Sequence, residues 1–209
     1  MPLCVFDLDH TLIRSPLDLA AMALDMRALC EQAWGPLPPR EERYRVGDLI
    51  ALCERHAPSL LPHLWAVALD HERRALLSAS LEPGARAALA GARDAGWATA
   101  VWTNNARAIT AEVLDRFDLR PLLDVVVTRD DMRALKPDPA GWEVLQARFG
   151  AGPAVVVGDS WVDGVAATAA GVPFVAYRAD GAELARRGVR PVAWLDDLAA
   201  LPGWLKRHG

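Results

Sequence analysis

The sequence predicts an α/β protein built on a parallel sheet. Short apolar runs rich in β-branched residues recur along the chain, and they are nearly continuous in hydrophobicity, which is typical of parallel strands covered on both faces. Helical stretches lie between these runs. One gap, of about 70 residues after the first run, is too long for a single crossover helix. These observations favour a three-layer, Rossmann-like sandwich with a five-stranded parallel sheet and an inserted helical domain.

The elements of the sandwich follow from the apolar runs and the breaks between them. The predicted strands are Leu3–Phe6, Ala98–Trp102, Val125–Thr128, Ala154–Val157 and Pro173–Tyr177. Each predicted crossover helix ends at or near a glycine or a proline, as helices commonly do. These helices are Glu82–Ala95, Asn105–Phe117, Asp138–Phe149 and Ser160–Ala170. Residues 1–13 and 82–209 are therefore predicted to form the core domain.

The insert is helical in pattern. A first helix is expected from Ser15 or Pro16 to Trp34, where a proline-rich stretch breaks it. Two more are expected over Arg40–His56 and Leu60–Ser80, because apolar residues recur there at i, i+3 and i+4. Residues 14–81 are therefore predicted to form a separate all-helical domain that leaves the sandwich after its first strand.

Charge and cysteine content limit the partners. The 209 residues include 27 acidic and 23 basic side chains, and the net charge of −4 predicts no broad cationic surface for nucleic acid or an anionic membrane. No signal-peptide pattern and no bilayer-spanning apolar stretch is seen. Cys4, Cys30 and Cys53 lie apart in apolar surroundings, which favours reduced core thiols in a cytoplasmic protein. A small-molecule partner is expected, and the oligomeric state stays open.

Polar side chains follow three of the predicted strands, and carboxyl ends of parallel strands meet at one rim of a sheet. Together with a lysine at a turn before a helix, they are Asp7, Asp9, Thr103, Asn104, Lys136, Asp159 and Asp163. Four clustered carboxylates repel one another unless a cation lies among them, and hard oxygen ligands without His or Cys suit Mg²⁺. The lysine, the threonine and backbone N–H groups suit a dianionic phosphoryl group. The sequence therefore predicts phosphate-ester chemistry.

Four motifs, in order, resemble those of the haloacid dehalogenase superfamily of phosphotransferases. They are Asp7-x-Asp9-x-Thr11, then Thr103, then Lys136-Pro137, then Gly158-Asp159-Ser160-x-x-Asp163. The resemblance covers the chain from end to end and is to phosphoglycolate-phosphatase-like members with a helical C1-type cap, which here corresponds to 14–81. In one departure, His10 stands where the family most often has glycine.

The resemblance implies a role for each motif residue. Asp7 would be the nucleophile that forms an aspartyl phosphate, and Asp9 the general acid and base. Thr103, the Asn104 backbone and Lys136 would bind and neutralise the phosphoryl group. The metal ligands would be Asp7, the main-chain carbonyl of Asp9, and Asp159; Asp163 would assist through a metal-bound water or through Lys136. Thr11 would bond the loop that carries Asp9.

A Mg²⁺-dependent phosphatase for a small phosphorylated metabolite is the leading hypothesis. A sugar phosphomutase stays open because it shares the whole set of motifs. A dehalogenase needs no acid such as Asp9, and the branch that forms a Schiff base needs a lysine in the cap, which residues 14–81 lack. A receiver-like phospho-accepting module is the alternative from another class, although it has no large insert after its first strand. A binding protein without activity is disfavoured because no motif residue is missing.

Lysine is rare in this chain. Of the 23 basic side chains, 21 are arginine and only Lys136 and Lys206 are lysine. One of the two exceptions falls where a phosphoryl site calls for a compact ammonium rather than a planar guanidinium. We therefore expect Lys136 to be a functional residue that arginine cannot replace.

Overall fold

The computed structural model describes residues 1–208. The chain divides into two compact units: one combines Met1–Ser15 with the chain from Ser80 onward, and the other is Pro16–Ala79. The strands of the first unit are β1 (Leu3–Phe6), β2 (Ile13–Arg14), β3 (Ser80–Leu81), β4 (Ala98–Trp102), β5 (Val125–Val127), β6 (Ala154–Gly158), β7 (Phe174–Tyr177) and β8 (Ala193–Leu195). Its helices are α4 (Ala85–Asp94), α5 (Arg107–Arg116), α6 (Ala140–Phe149), α7 (Trp161–Ala169), α8 (Gly181–Arg186) and α9 (Leu201–His208).

Within the described chain, six strands form one parallel sheet in the order β5-β4-β1-β6-β7-β8. The prediction of a parallel α/β sandwich is confirmed, but the prediction of five strands is wrong by one. The sixth strand, β8, has only three residues, and Trp194 at its centre is exposed. Its apolar run is short, lies between Pro191 and Asp196, and contains a single β-branched residue, so it differs from the β-branched runs that mark the predicted strands.

The order of the strands places the site. Strand β1 lies between β4 and β6, with Phe6 paired to Val101 on one side and to Val157 on the other. The chain moves outward from β1 through β4 to β5, and then returns to build β6, β7 and β8 on the opposite side. Ligands of such sheets bind beyond the carboxyl ends of the strands where the direction of winding reverses, which here is the rim formed by β1, β4 and β6.

Three crossover helices, α4 to α6, begin two or three residues later than the sequence predicts. The fourth, α7, begins one residue later. Helix α4 begins at Ala85 because Gly84 adopts a left-handed conformation, with φ of 82°. Helix α7 begins at Trp161, so Ser160 is its N-cap residue. Ser160 thus caps its helix instead of continuing it, whereas the Glu82 side chain lies outside α4 and bonds Arg14 and Tyr177.

The second unit is helical. It contains α1 (Leu19–Trp34), α2 (Val46–His56) and α3 (Leu61–Leu77). Helix α1 begins after Asp18, whose Oδ1 accepts hydrogen bonds from two backbone N–H groups at 2.9 Å each. Apolar side chains from all three helices form one core, which includes Met26, Leu49 and Leu64. That this unit acts as a cap stays a prediction.

The chain is anchored where it leaves and re-enters the first unit. Strands β2 and β3 pair antiparallel, and Glu82 follows them in a buried position. Its carboxylate accepts hydrogen bonds from Arg14 at 2.7 Å, from Arg178 at 2.8 Å and from the Tyr177 hydroxyl at 2.6 Å. These contacts tie both connecting strands to the end of β7.

The three cysteines are buried and free, as the sequence predicts. None of the helices in residues 1–208 combines the length and the apolar character that a membrane crossing requires.

Candidate active site

Asp7 is the first residue beyond β1. Its backbone N–H donates to Val157 O at 2.9 Å, which extends the pairing with β6 by one residue. The residue is 9% exposed, so its carboxyl group lies at the floor of the rim. Burial raises the pKa of Asp7 to about 7; the carboxylates of Asp163 and Asp9 add to this rise and the Lys136 ammonium opposes it.

Lys136 places its ammonium against Asp7. Its Nζ donates to Asp7 Oδ1 at 2.6 Å, to Asp163 Oδ1 at 2.6 Å and to the Trp102 carbonyl oxygen at 2.7 Å. All three donors of the ammonium are therefore used, and the residue is only 6% exposed. Burial by itself would lower the pKa of Lys136, but the two carboxylates outweigh it and raise the pKa. The lysine stays charged.

The side chain of Asn104 holds the backbone of Lys136. Its Oδ1 accepts from Lys136 N at 2.8 Å, and its Nδ2 donates to Lys136 O at 3.0 Å. Through these two bonds, Asn104, which directly follows Thr103, holds the loop between β5 and α6 in place. The sequence pointed to the Asn104 backbone as a phosphoryl contact; the structure shows in addition that the side chain orients the lysine.

Asp163 joins the lysine to helix α7. It is 2% exposed, and its Oδ2 accepts from the Ser160 hydroxyl at 2.7 Å and from Ser160 N at 3.2 Å, while Oδ1 accepts from the lysine. Asp163 thus closes a capping box at the start of α7 and also holds the ammonium. Neither of these two roles excludes the other.

Gly158 makes room for Asp163. A Cβ at Gly158 would lie 2.7 Å from three atoms of the Asp163 side chain, which cannot withdraw because Lys136 and Ser160 hold it. We expect Gly158→Ala to lower the free energy of unfolding by about 1–3 kcal/mol. Gly47→Ala is the matched control, because nothing lies within 4 Å of its added Cβ. Denaturant unfolding measures both; equal stability of the two variants would contradict this account.

Asp9 lies across the rim from the lysine. Asn105 Nδ2 donates to Asp9 Oδ2 at 2.5 Å, and Asn105 N donates to Thr103 Oγ1 at 3.2 Å. Since the threonine oxygen accepts this bond, its own hydroxyl proton is available to another acceptor. Burial raises the pKa of Asp9, and hydrogen bonds from Asn105 and Ser15 oppose that rise.

The loop that carries Asp9 is held by its backbone. Leu8 O accepts from Leu12 N at 2.9 Å and from Ile13 N at 3.0 Å. Thr11 bonds this loop through its backbone, since Thr11 N donates to Leu8 O at 3.4 Å, whereas its Oγ1 is buried and meets no hydrogen-bond partner in the described chain. His10, which stands where the resemblance suggests glycine, has a φ of 59°. That left-handed conformation explains why glycine suits the position.

Three carboxyl groups within residues 1–208 could hold a metal ion together. Oxygens of Asp7, Asp159 and Asp163 lie within 4.8 Å of one another. Burial is the main reason that the pKa of Asp159 rises to about 9, and the neighbouring carboxylates of Asp163 and Asp7 contribute to this rise. Because the lysine and Ser160 occupy both oxygens of Asp163, Asp7 and Asp159 are better placed to bind a cation. Such crowding of hard oxygen donors fits Mg²⁺.

The rim brings together every residue that the sequence singled out. These are Asp7, Asp9, Thr103, Asn104, Lys136, Asp159 and Asp163. The sequence did not reveal that Ser160 is a hydrogen-bond partner of Asp163, or that Asn105 is one of Asp9. For Ser160 a signal existed, since a serine three residues before an aspartate is a capping-box pattern. For Asn105 only its place after Thr103 and Asn104 hinted at a role.

Comparisons with known proteins show the family of this chain. A family model for haloacid dehalogenase-like hydrolases matches residues 1–171. A phosphoglycolate phosphatase of Cereibacter sphaeroides is 30% identical over 194 residues, which cover 85% of each chain. Another, of Rhodospirillum rubrum, is 30% identical and covers 96% of this chain and 89% of that protein.

Solved structures share the fold. A hydrolase from Pseudomonas syringae aligns with a TM-score of 0.69 at 22% identity, covering 99% of both chains. The CbbY protein of Rhodobacter sphaeroides, solved in complex with phosphate, aligns with a TM-score of 0.64 at 23% identity and covers 95% of each chain.

Proposed function

This chain belongs to the haloacid dehalogenase-like hydrolases, and from that premise we propose that it is a Mg²⁺-dependent phosphatase acting on a small phosphorylated metabolite. That it is a phosphatase also follows from its relatives, which are named phosphoglycolate phosphatases. One observation supports the mechanism most: the buried Lys136 ammonium lies 2.6 Å from Asp7 Oδ1, where it offsets the negative charge of the carboxylate that attacks phosphorus.

Asp7 is the nucleophile of the proposed reaction. One of its carboxylate oxygens forms a bond to phosphorus while the bond from phosphorus to the ester oxygen breaks, and the product is an aspartyl phosphate. The Lys136 ammonium offsets the negative charge that builds up when the anionic phosphate ester approaches the Asp7 carboxylate in this buried site. Asp163 keeps the ammonium in place because its Oδ1 accepts a second hydrogen bond from Lys136 Nζ.

Asp9 moves the protons. It donates one to the departing ester oxygen in the first step, and in the second it removes one from the water that attacks the aspartyl phosphate. The second step releases inorganic phosphate and restores the Asp7 carboxylate. Burial raises the pKa of Asp9, which favours the protonated form that the first step requires.

Thr103 and Asn104 bind the phosphoryl oxygens in this proposal. The Thr103 hydroxyl keeps a proton to donate, and the Asn104 backbone N–H lies next to it beyond the end of β4. The Asn104 side chain meanwhile fixes the backbone of Lys136, so that three phosphoryl contacts come from one connected unit. Such preorganised donors are effective because they need no rearrangement during the reaction.

Asp7, the main-chain carbonyl of Asp9, and Asp159 would hold Mg²⁺, and Asp163 would act through Lys136. When bound, the cation supplies positive charge against the nucleophile and the phosphoryl oxygens. The crowding of these carboxyl groups supports this assignment, because the Asp163 carboxylate contributes to the raised pKa of both Asp7 and Asp159, and the Asp7 carboxylate contributes to that of Asp159.

We expect MgCl₂ to stabilise the protein more at pH 9 than at pH 6. The pKa is raised to about 7 for Asp7 and to about 9 for Asp159, so the folded, metal-free protein favours the protonated form of both carboxyl groups. The folded state therefore loses stability as the pH rises from about 4, where these groups ionise in the unfolded chain, through the two raised values. The cation needs the ionised groups and offsets that loss. Thermal melting with millimolar MgCl₂ should show a rise of roughly 5 °C at pH 9 and a smaller one at pH 6. An equal rise at both values would contradict the assignment of the ligands.

Release of inorganic phosphate tests the proposed function. The panel contains 2-phosphoglycolate, sugar phosphates and nucleoside monophosphates, each with and without Mg²⁺. Magnesium-dependent release from any of them supports a phosphatase, and isomerisation of a sugar phosphate without release would establish a phosphomutase. Stable phosphorylation of Asp7 without turnover would favour the receiver-like alternative.

We place the enzyme in the cytoplasm, which its buried free thiols support.

A further inference from the structure

Asp9 is oriented by a neighbour that the proposed mechanism does not use. Asn105 Nδ2 lies 2.5 Å from Asp9 Oδ2, although the two residues are 96 positions apart in the chain. The asparagine is 8% exposed and its backbone is held at two points, since its backbone N–H donates to Thr103 Oγ1 and its backbone carbonyl accepts from Arg129 N at 3.1 Å. From this held backbone the side-chain amide presents Nδ2 to Asp9.

The chemistry of an amide decides which oxygen of Asp9 carries a proton. An N–H group donates and does not accept, so the oxygen that it meets must be an acceptor. The Ser15 hydroxyl is also bonded to the Asp9 carboxyl, but a hydroxyl donates or accepts as its rotation allows. Of these two partners, which are the ones described for the Asp9 carboxyl in residues 1–208, Asn105 is the one that distinguishes the two oxygens. When Asp9 is protonated, its proton lies on Oδ1.

We propose that Asn105 is a positioning residue for Asp9: it holds Oδ2 as an acceptor, so that both proton transfers of the reaction run through Oδ1. This inference rests on the proposed phosphatase function. In the first step the proton leaves Oδ1 for the ester oxygen as the bond to phosphorus breaks. In the second step Oδ1 takes a proton from water as the water oxygen bonds to phosphorus.

The two adjacent asparagines divide the work between them. Asn104 holds the backbone of Lys136, which serves the nucleophile and the phosphoryl group. Asn105 holds Asp9, which serves the leaving group. Loss of Asn104 should therefore slow all phosphate esters by the same factor. Loss of Asn105 should slow most those esters whose leaving oxygen needs a proton, because an alkoxide departs poorly without one and a nitrophenolate does not need it.

A series of phosphate monoesters tests this difference. The esters run from p-nitrophenyl phosphate to an alkyl phosphate, and kcat/KM is measured for wild type, Asn105→Ala and the matched control Asn104→Ala. For Asn105→Ala we expect a loss of about 10²-fold or more on the alkyl ester and of only about threefold on the nitrophenyl ester. For Asn104→Ala the losses should be equal along the series.

A double variant shows whether Asn105 acts through Asp9. In the Asp9→Asn background, Asn105→Ala should cost no more than about a further threefold, because the group that it positions is already lost. Thermal melting checks that the variants fold; if Asn105→Ala does not melt cooperatively, Asn105→Ser, whose side chain is too short to hold Oδ2, takes its place in the same series.

The outcomes separate this inference from the proposed function. An active wild type whose Asn105→Ala loss is uniform along the series, or undiminished in the Asp9→Asn background, would overturn the positioning role alone. A wild type that hydrolyses no ester of the series or of the metabolite panel with Mg²⁺ would overturn the proposed function and this inference with it.

Discussion

Replacement of Asp7 by asparagine should abolish the turnover of every phosphate ester. We expect kcat to fall by at least about 10⁴-fold. The amide of asparagine is a poor nucleophile towards phosphorus, so no aspartyl phosphate forms at this position. The fold should survive the change. The Lys136 ammonium keeps Asp163 and the Trp102 carbonyl as partners, and a neutral side chain removes one of the crowded carboxylates beside Asp159.

Phosphate release and mass spectrometry check this expectation together. Acid-quenched wild type should contain a peptide around Asp7 that is heavier by one phosphoryl group, and the asparagine variant should not. Asp94→Asn, an exposed change at the end of α4, is the matched control and should keep full activity. Turnover by the Asp7 variant above about one hundredth of wild type would show that another group is the nucleophile.

The sequence was sufficient to predict the parallel sandwich and the rim residues because both depend on local patterns. Asp7, Thr103 and Asp159 each directly follow a strand that reads as a continuous apolar run, and parallel strands bring such residues to one edge. Lys136 follows no strand; the sequence indicated it as a lysine beside a proline turn before a helix, and the family resemblance added its role at the phosphoryl group.

Contacts between distant segments were not predictable in this way. The bond from Asn105 to Asp9 depends on the register that pairs Phe6 with Val101, and a single sequence does not contain that register. The same is true of the Asn104 side chain, which reaches a loop 32 residues away. Thr11 is a related case: the sequence indicated that this residue bonds the loop, but not that the bond comes from its backbone N–H while its hydroxyl meets no partner in the described chain.

Lys136→Arg should reduce kcat by about 10²- to 10³-fold although it keeps the positive charge. The ammonium donates to three acceptors at 2.6, 2.6 and 2.7 Å, on Asp7, Asp163 and the Trp102 carbonyl. A guanidinium is planar and larger, so it cannot point single protons at three acceptors grouped around one atom. At a position only 6% exposed, the added volume must also displace neighbours, at a cost of about 1–3 kcal/mol in the free energy of unfolding.

The chain contains its own control for this substitution, because Lys206 is its only other lysine and lies exposed in α9. Lys206→Arg should leave both kcat and the melting temperature unchanged, whereas Lys136→Arg should lower kcat far more than its loss of stability accounts for at a temperature where both variants are folded. Charge alone would then be insufficient, and the geometry of the ammonium would be the property that this position requires. Full activity in Lys136→Arg would instead mean that any cation near Asp7 serves, and that the arginine-rich composition of the chain has no bearing on its mechanism.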